Sequence, residues 1–283
     1  MRHRIGDVLL NVIDEGEGDT ILFLHGLGGS WRDWTPQVDD FRDTHRVVVV
    51  EHRGHGRSHL GDEPLSTARF AADALDVCRG LGVDRAHVVG LSMGGLIAQQ
   101  VALTAPPGFV DTLTLCDTGA YMPERMGAVL LAMAEGVRAA GGMPVTRGVV
   151  PADDPAWARA TLADHPETYR DCQREAQGND PEAWARAARA VAEHDTRADL
   201  GRITVPTLLV YGEEDRLIRP DKASPPLLAG LPDVEMLIVP DAGHLVNLEQ
   251  VTVFDAALRR FFAERGRDSM ERTEAVVTPA PAS

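Results

Sequence analysis

Val88-Val89-Gly90-Leu91-Ser92-Met93-Gly94-Gly95 sets a serine between two glycines, with an apolar run before it and a helical pattern after it. A strand that turns sharply into a helix at Ser92 forces that residue into strained backbone geometry, and glycines two residues to either side let the neighbouring chain pass close by. Such a turn leaves the hydroxyl above the sheet at a helix N-terminus, where free N–H groups and the helix dipole stabilise developing negative charge. The bland alternative is a glycine-rich turn with a helix-capping serine; the strand before it and the helix after it favour the chemical reading.

The same alternation extends in both directions. Short runs rich in Val, Ile and Leu recur at Thr20 to Leu24, Val47 to Val50, Ala86 to Val89, Thr112 to Cys116, Thr207 to Tyr211 and Met236 to Val239. They read as buried parallel strands. Helix-length amphipathic segments lie at Thr67 to Leu81, Gly94 to Thr104 and Val251 to Ala263, the first with Ser66 or Thr67 as N-cap. Alternation of this kind predicts an α/β fold built on a doubly wound, mostly parallel sheet.

Between Asp117 and Ile203 the alternation stops, and no convincing strand appears. Residues 122–199 carry nine Arg and thirteen acidic residues, and Pro144, Pro151, Pro155, Pro166 and Pro181 divide the stretch into short helices. The expected organisation is a core of residues 1–121 and 200–265, a helical lid over 122–199, and a disordered polar, Ala- and Pro-rich tail over 266–283. A chain of 283 residues suits one such core with an insertion.

Composition narrows the partners. A formal net charge of −15 repels phosphate backbones and anionic lipid, which argues against nucleic-acid or membrane binding and leaves small molecules. Residues 1–10 reach Gly6-Asp7 before any apolar run long enough for a signal peptide, so no export is expected. Cys78, Cys116 and Cys172 are an odd, widely spaced set without Cys-x-x-Cys, which indicates neither a disulfide framework nor a zinc site. A cytoplasmic protein without a metal is the expectation, with Cys116 as a packing residue.

A serine hydroxyl is a poor nucleophile at neutral pH. It needs a base within hydrogen-bond reach and a third group that fixes the base's tautomer. Val210-Tyr211-Gly212-Glu213-Glu214-Asp215 places a carboxylate just past one strand, and Asp241-Ala242-Gly243-His244 places an imidazole just past the next. The carboxyl ends of the strands share one edge in this kind of sheet, so Ser92, Asp215 and His244 can converge. The expected assignment is Ser92 as nucleophile, His244 as general base and Asp215 as the acid that orients it. His244 stands out among ten histidines by its glycine neighbour and its place after the last strand. Asp215 has rivals in Glu213, Glu214 and Asp117; the Gly-x-x-acid spacing favours it.

Acyl transfer also needs donors aimed at an oxyanion. His25-Gly26-Leu27-Gly28-Gly29 follows the strand Thr20 to Leu24, and the N–H groups of Leu27 and Met93 are the expected pair. The loop lacks Gly-x-Gly-x-x-Gly spacing and a P-loop lysine, which disfavours a dinucleotide or phosphate site. His52-Arg53-Gly54-His55-Gly56-Arg57-Ser58 reads as hydrogen-bonded support for the oxyanion loop, with Arg53 a candidate substrate contact. Trp31 and Trp34 are candidate pocket walls, with core packing the equal alternative.

These motifs, with Gly212 to Asp215 and Gly243-His244, resemble the α/β-hydrolase family from about Gly6 to Phe262. Within it the chain is most similar to the 3-oxoadipate enol-lactone hydrolases. That likeness rests on Gly90-Leu91-Ser92-Met93-Gly94-Gly95-Leu96-Ile97-Ala98-Gln99, Leu115-Cys116-Asp117-Thr118 and Gly243-His244-Leu245-Val246-Asn247-Leu248-Glu249-Gln250. The resemblance implies the α/β-hydrolase fold and cofactor-free hydrolysis of a small to medium-sized ester or lactone through an acyl-Ser92 intermediate, His244 acting first as base and then as acid. Glu51 stands where such relatives usually have aspartate, and Asp117 where many have asparagine. An acidic lactone would need a cation, for which Arg138 or Arg147 in the lid is the expected source. The same three residues would serve a carbon–carbon bond hydrolase or a perhydrolase; a non-catalytic ligand-binding protein on the same fold is the alternative of another class. Dehalogenases and epoxide hydrolases of the fold carry aspartate at the elbow, and Ser92 speaks against them.

Overall fold

A computed structural model describes residues 1–6, 8–143 and 149–266. Eight strands form one sheet: β1 (Arg2–Ile5), β2 (Val8–Glu15), β3 (Thr20–Leu24), β4 (Arg46–Val50), β5 (Ala86–Leu91), β6 (Val110–Cys116), β7 (Thr207–Gly212) and β8 (Val234–Val239), in the order β1-β2-β4-β3-β5-β6-β7-β8. Strands β3 to β8 run parallel, and β1 and β2 join antiparallel at one edge. The six strands expected from sequence are present, several of them a residue or two longer. β1 and β2 are additions. β2 buries Val8, Leu10 and Val12 while Leu9 and Ile13 are only half covered, so it lacks the unbroken apolar run that marks a strand covered on both faces.

Helices cover both faces: α1 (Thr35–Phe41), α2 (Thr67–Gly80), α3 (Met93–Thr104), α4 (Glu124–Ala140), α5 (Arg159–Asp164), α6 (Pro166–Gln177), α7 (Pro181–Ala192), α8 (Pro220–Gly230), α9 (Val246–Glu249) and α10 (Val251–Arg265). Ser66 caps α2, its hydroxyl accepting from the Arg69 N–H at 3.0 Å. One apolar layer joins Phe70, Ala74 and Val77 of α2 to Ile97 and Val101 of α3; the opposite layer joins Phe41 of α1 to Phe254, Leu258 and Phe261 of α10. Among the described residues no helix is long and apolar enough to cross a membrane.

The register aligns the ends of the strands. Leu24 pairs with Gly90, Leu91 with Cys116, Cys116 with Val210, and Gly212 with Val239, so the loops leaving β3, β5, β6, β7 and β8 open on one edge. Between β6 and β7 lie α4 to α7. Pro166 and Pro181 are the first residues of α6 and α7, where a missing N–H breaks no helical bond. Helix α4 packs on α7 through Ala134, Val137, Trp184 and Ala188, while Trp157, Leu162 and Tyr169 form a separate small cluster. The two ends of this segment meet: Met122 N–H donates to the His194 carbonyl and Thr196 N–H to that of Ala120. Pro144, Arg147 and the tail from 267 onward lie outside the described residues.

Candidate active site

The turn between β5 and α3 is strained at one residue. Ser92 has φ 54° and ψ −115°, a conformation that a side chain makes costly by about 1–3 kcal/mol. Its surroundings hold it there. The Ser92 N–H donates to the Cys116 carbonyl at 2.9 Å, and the Thr118 hydroxyl donates to the Ser92 carbonyl at 2.8 Å. A methyl built on Gly90 would strike the Gly94 backbone, and one on Gly94 would strike the Leu24 carbonyl, so both glycines are required for β3, β5 and α3 to converge. Met93 is the first residue of α3, a position whose N–H has no acceptor within the helix.

Ser92, His244 and Asp215 are brought together. The Ser92 hydroxyl lies 2.9 Å from His244 Nε2, and His244 Nδ1 lies 2.8 Å from Asp215 Oδ2. Asp215 is only 2% exposed, and its other oxygen accepts from the N–H groups of Leu217 and Ile218, each at 2.8 Å. The loop that carries His244 is fixed by Glu249, whose carboxylate accepts from Gly243 N–H at 3.0 Å and from Leu245 N–H at 3.3 Å. Glu249 also accepts from Ala158 N–H at 2.9 Å, and the His244 N–H donates to the Ala156 carbonyl at 2.8 Å. The inserted segment therefore grips the histidine loop at two points. Sequence reasoning gave Glu249 no role, although a carboxylate five residues past His244 in a short helical turn was a legible sign of one.

Asp117 sits nearby without touching the imidazole. Its carboxyl accepts from Gly212 N–H at 2.9 Å and from Val246 N–H at 3.4 Å, bracing the acid loop against the histidine loop. Burial, reinforced by Asp215, pushes this carboxyl well above the usual range, with His244 and the two N–H groups opposing. Of the other rivals, Glu213 is exposed and Glu214 accepts from the Arg159 N–H. Burial disfavours the charged form of His244, but the charge and hydrogen bond of Asp215, with further help from Asp117 and Glu249, outweigh it and push the imidazole up to about 9. A hydroxyl, an imidazole and a carboxylate so arranged can pass the hydroxyl proton to Nε2 while the carboxylate stabilises the resulting imidazolium.

Two cavities meet at Ser92. The larger, about 400 Å³, is walled by Met93, Leu96, Met122, Met126, Leu217 and Ile218. The smaller, about 150 Å³, is bounded by the Gly26–Gly29 loop, His244 and Trp157. Leu27 borders the small cavity and Met93 the large one. The loop after β3 is hydrogen-bonded to the segment after β4: the His52 N–H donates to His25 Nε2 at 3.1 Å, and Glu51 accepts from Arg57 N–H at 2.7 Å and Trp31 N–H at 3.4 Å.

Three expected substrate contacts are corrected. Trp34 is fully buried against Phe23, ring centroids 4.6 Å apart, and belongs to the core. Arg53, 1% exposed, is engaged by the equally buried Asp73, with Nη2 2.8 Å from Oδ1. Arg138 lies on the surface, paired with Glu182 and Glu135. Each has a better partner than a substrate. The cations that do line the large cavity are Arg216, Arg219 and Lys222, just past Asp215 and outside the lid. Because Asp73 neutralises a buried guanidinium, Asp73→Ala is expected to cost about 3–5 kcal/mol and to lower the thermal midpoint by about 10 °C, checked by calorimetry. A loss under about 1 kcal/mol would mean that water reaches Arg53.

Comparison with known proteins agrees with this fold. A family model described as the alpha/beta hydrolase fold matches residues 19–251. The putative carbamate hydrolase RutD of Agrobacterium fabrum is 29% identical over 255 residues, covering 87% of this chain and 94% of the relative. The 3-oxoadipate enol-lactonase 2 of Acinetobacter baylyi is 28% identical over 262 residues, covering 90% and 95%. Among solved structures, a thermophilic esterase from Thermogutta terrifontis superposes with a TM-score of 0.86 at 27% identity, covering 94% of this chain and 99% of that one. By family model, relatives and fold, the chain belongs to the α/β-hydrolase family of hydrolytic enzymes.

Proposed function

We propose that the protein hydrolyses a carboxylic ester or lactone of a small to medium-sized molecule through an acyl-serine intermediate. The observation that carries this reading is the unbroken chain from Ser92 Oγ through His244 to Asp215, at a strained turn with helix α3 behind it. Ser92 attacks the carbonyl carbon as its proton passes to His244 Nε2. The N–H groups of Leu27 and Met93 receive the oxyanion. His244 then gives the proton to the leaving oxygen, the acyl-enzyme remains, and water activated by the same imidazole releases the acid and restores the serine.

The large cavity suits the acyl half, because its walls are mostly apolar and about 400 Å³ holds a group of several carbons. Residues 122–199 act in this reading as a lid: Met122 and Met126 wall that cavity, and Ala156 holds the histidine loop. Similarity to an esterase, an enol-lactonase and a carbamate hydrolase supports hydrolysis at a carbonyl group, and the first two support an ester or lactone in particular. A panel of activated esters, lactones and dienone acids, with products identified, tests the reading. Ester or lactone turnover without added cofactor is the expected result. Cleavage of dienone acids alone would replace it with carbon–carbon bond hydrolysis, peroxide-dependent peracid formation alone would make it a perhydrolase, and no turnover of any class would favour a binding protein.

A further inference from the structure

The two cavities differ in one respect that assigns them. His244 borders the small cavity and not the large one. The imidazole must protonate the departing oxygen, so the leaving group lies on the side where His244 stands. This step rests on the ester-hydrolase reading above.

The small cavity also contains a carboxyl group that the proposed mechanism does not use. Asp33 is 8% exposed and lines the cavity beside Ser92, His244 and Trp157. Gly29 makes room for it: a methyl at that position would overlap the Asp33 carboxyl. The nearby charges that act on it most are those of Glu175 and Glu51, opposed by a hydrogen bond from the Ser30 N–H. The nearest arginine in sequence, Arg32, is taken by Glu175 at 3.2 Å. Burial, reinforced by Glu175 and Glu51, pushes Asp33 up to about 7, the expected behaviour of a carboxyl held without a cation. Trp157, in edge contact with Tyr169, lines the same space.

We propose that this cavity is a leaving-group subsite selective for a compact cationic alcohol, an amino alcohol or a quaternary ammonium alcohol, with Asp33 and Trp157 as its specificity-determining residues. A bound ammonium relieves the repulsion that Asp33 feels from Glu175 and Glu51, and the indole face adds a cation–π contact. A neutral alcohol of the same shape does neither. The site thereby reads charge on the alcohol half and apolar bulk on the acyl half.

The test uses a pair of butyrate esters that differ only in charge: choline butyrate and its carbon isostere, 3,3-dimethylbutyl butyrate, assayed at pH 8. The native enzyme is expected to prefer the choline ester in kcat/KM by about tenfold, carried mainly by KM, and Asp33→Asn is expected to bring the ratio near one. Inhibition supplies a reading that needs no variant: choline is expected to bind the native enzyme about tenfold more tightly than 3,3-dimethyl-1-butanol. Turnover of both esters without a charge preference, or a preference that survives Asp33→Asn, overturns this assignment and leaves the ester-hydrolase reading standing. Turnover of neither ester, on an enzyme that also fails the wider panel, overturns both.

Discussion

Ser92→Ala is expected to lower kcat toward an activated ester about a million-fold and to abolish labelling by a fluorophosphonate, with little change in thermal stability. The hydroxyl is the only atom removed. The N–H of residue 92 still reaches the Cys116 carbonyl, and the Thr118 hydroxyl still donates to the carbonyl of residue 92. Alanine keeps a Cβ at φ 54°, so the strain persists along with the fold. Ser92→Gly separates the two effects: it is equally inactive but sheds the strain, with an expected gain of about 1 kcal/mol, or about 2–4 °C. Labelling and melting curves on the three proteins check this. Labelling that survives in Ser92→Ala would move the nucleophile elsewhere.

The next largest effect is expected at Asp215. In Asp215→Asn the amide oxygen retains the N–H groups of Leu217 and Ile218, which turns the NH₂ group toward His244 Nδ1. The imidazole must then accept at Nδ1 and carry its proton on Nε2, facing Ser92, where it cannot take the hydroxyl proton. A loss in kcat of about 10⁴-fold is expected. The pH profile should move as well. His244 works as a base only when neutral, so native kcat/KM is expected to climb with pH through a midpoint near 9 and to level off above it. Without the Asp215 charge, burial dominates and lowers the imidazole, so the residual activity should level off at lower pH. Asp117→Asn is the control: its acceptor oxygen can still meet Gly212 N–H, and a loss under about tenfold is expected. If the two variants exchanged their phenotypes, Asp117 would be the acid.

The legible parts of the sequence were those governed by local rules. Five strands, β3 to β7, announced themselves because a parallel sheet covered on both faces demands unbroken Val, Ile and Leu, the half-exposed edge strand β8 did so by its apolar run alone, and the elbow did so because Gly90 and Gly94 are sterically required. The residues in the triad geometry were legible through chain order and strand ends alone. What failed was side-chain direction. Trp34, Arg53 and Arg138 were plausible by type, but their partners Phe23, Asp73 and Glu182 lie 11, 20 and 44 positions away and meet them only in the folded chain. Asp33 was invisible for the same reason: nothing in Ser30-Trp31-Arg32-Asp33 tells that Arg32 turns to Glu175 and leaves the acid facing a cavity.

The position of the insertion bears on how the enzyme comes into being. Strand β6 must pair with β7, yet the chain makes α4 to α7 before β7 exists, and the acid and the base come later still. Closing so long a loop costs entropy before any strand pairing repays it. During synthesis the elbow can form early, on β3, β5 and β6, as a serine without a base. Activity should therefore appear late and abruptly, once β8 has docked, and a nascent chain halted before His244 should be inert however well its first half has folded.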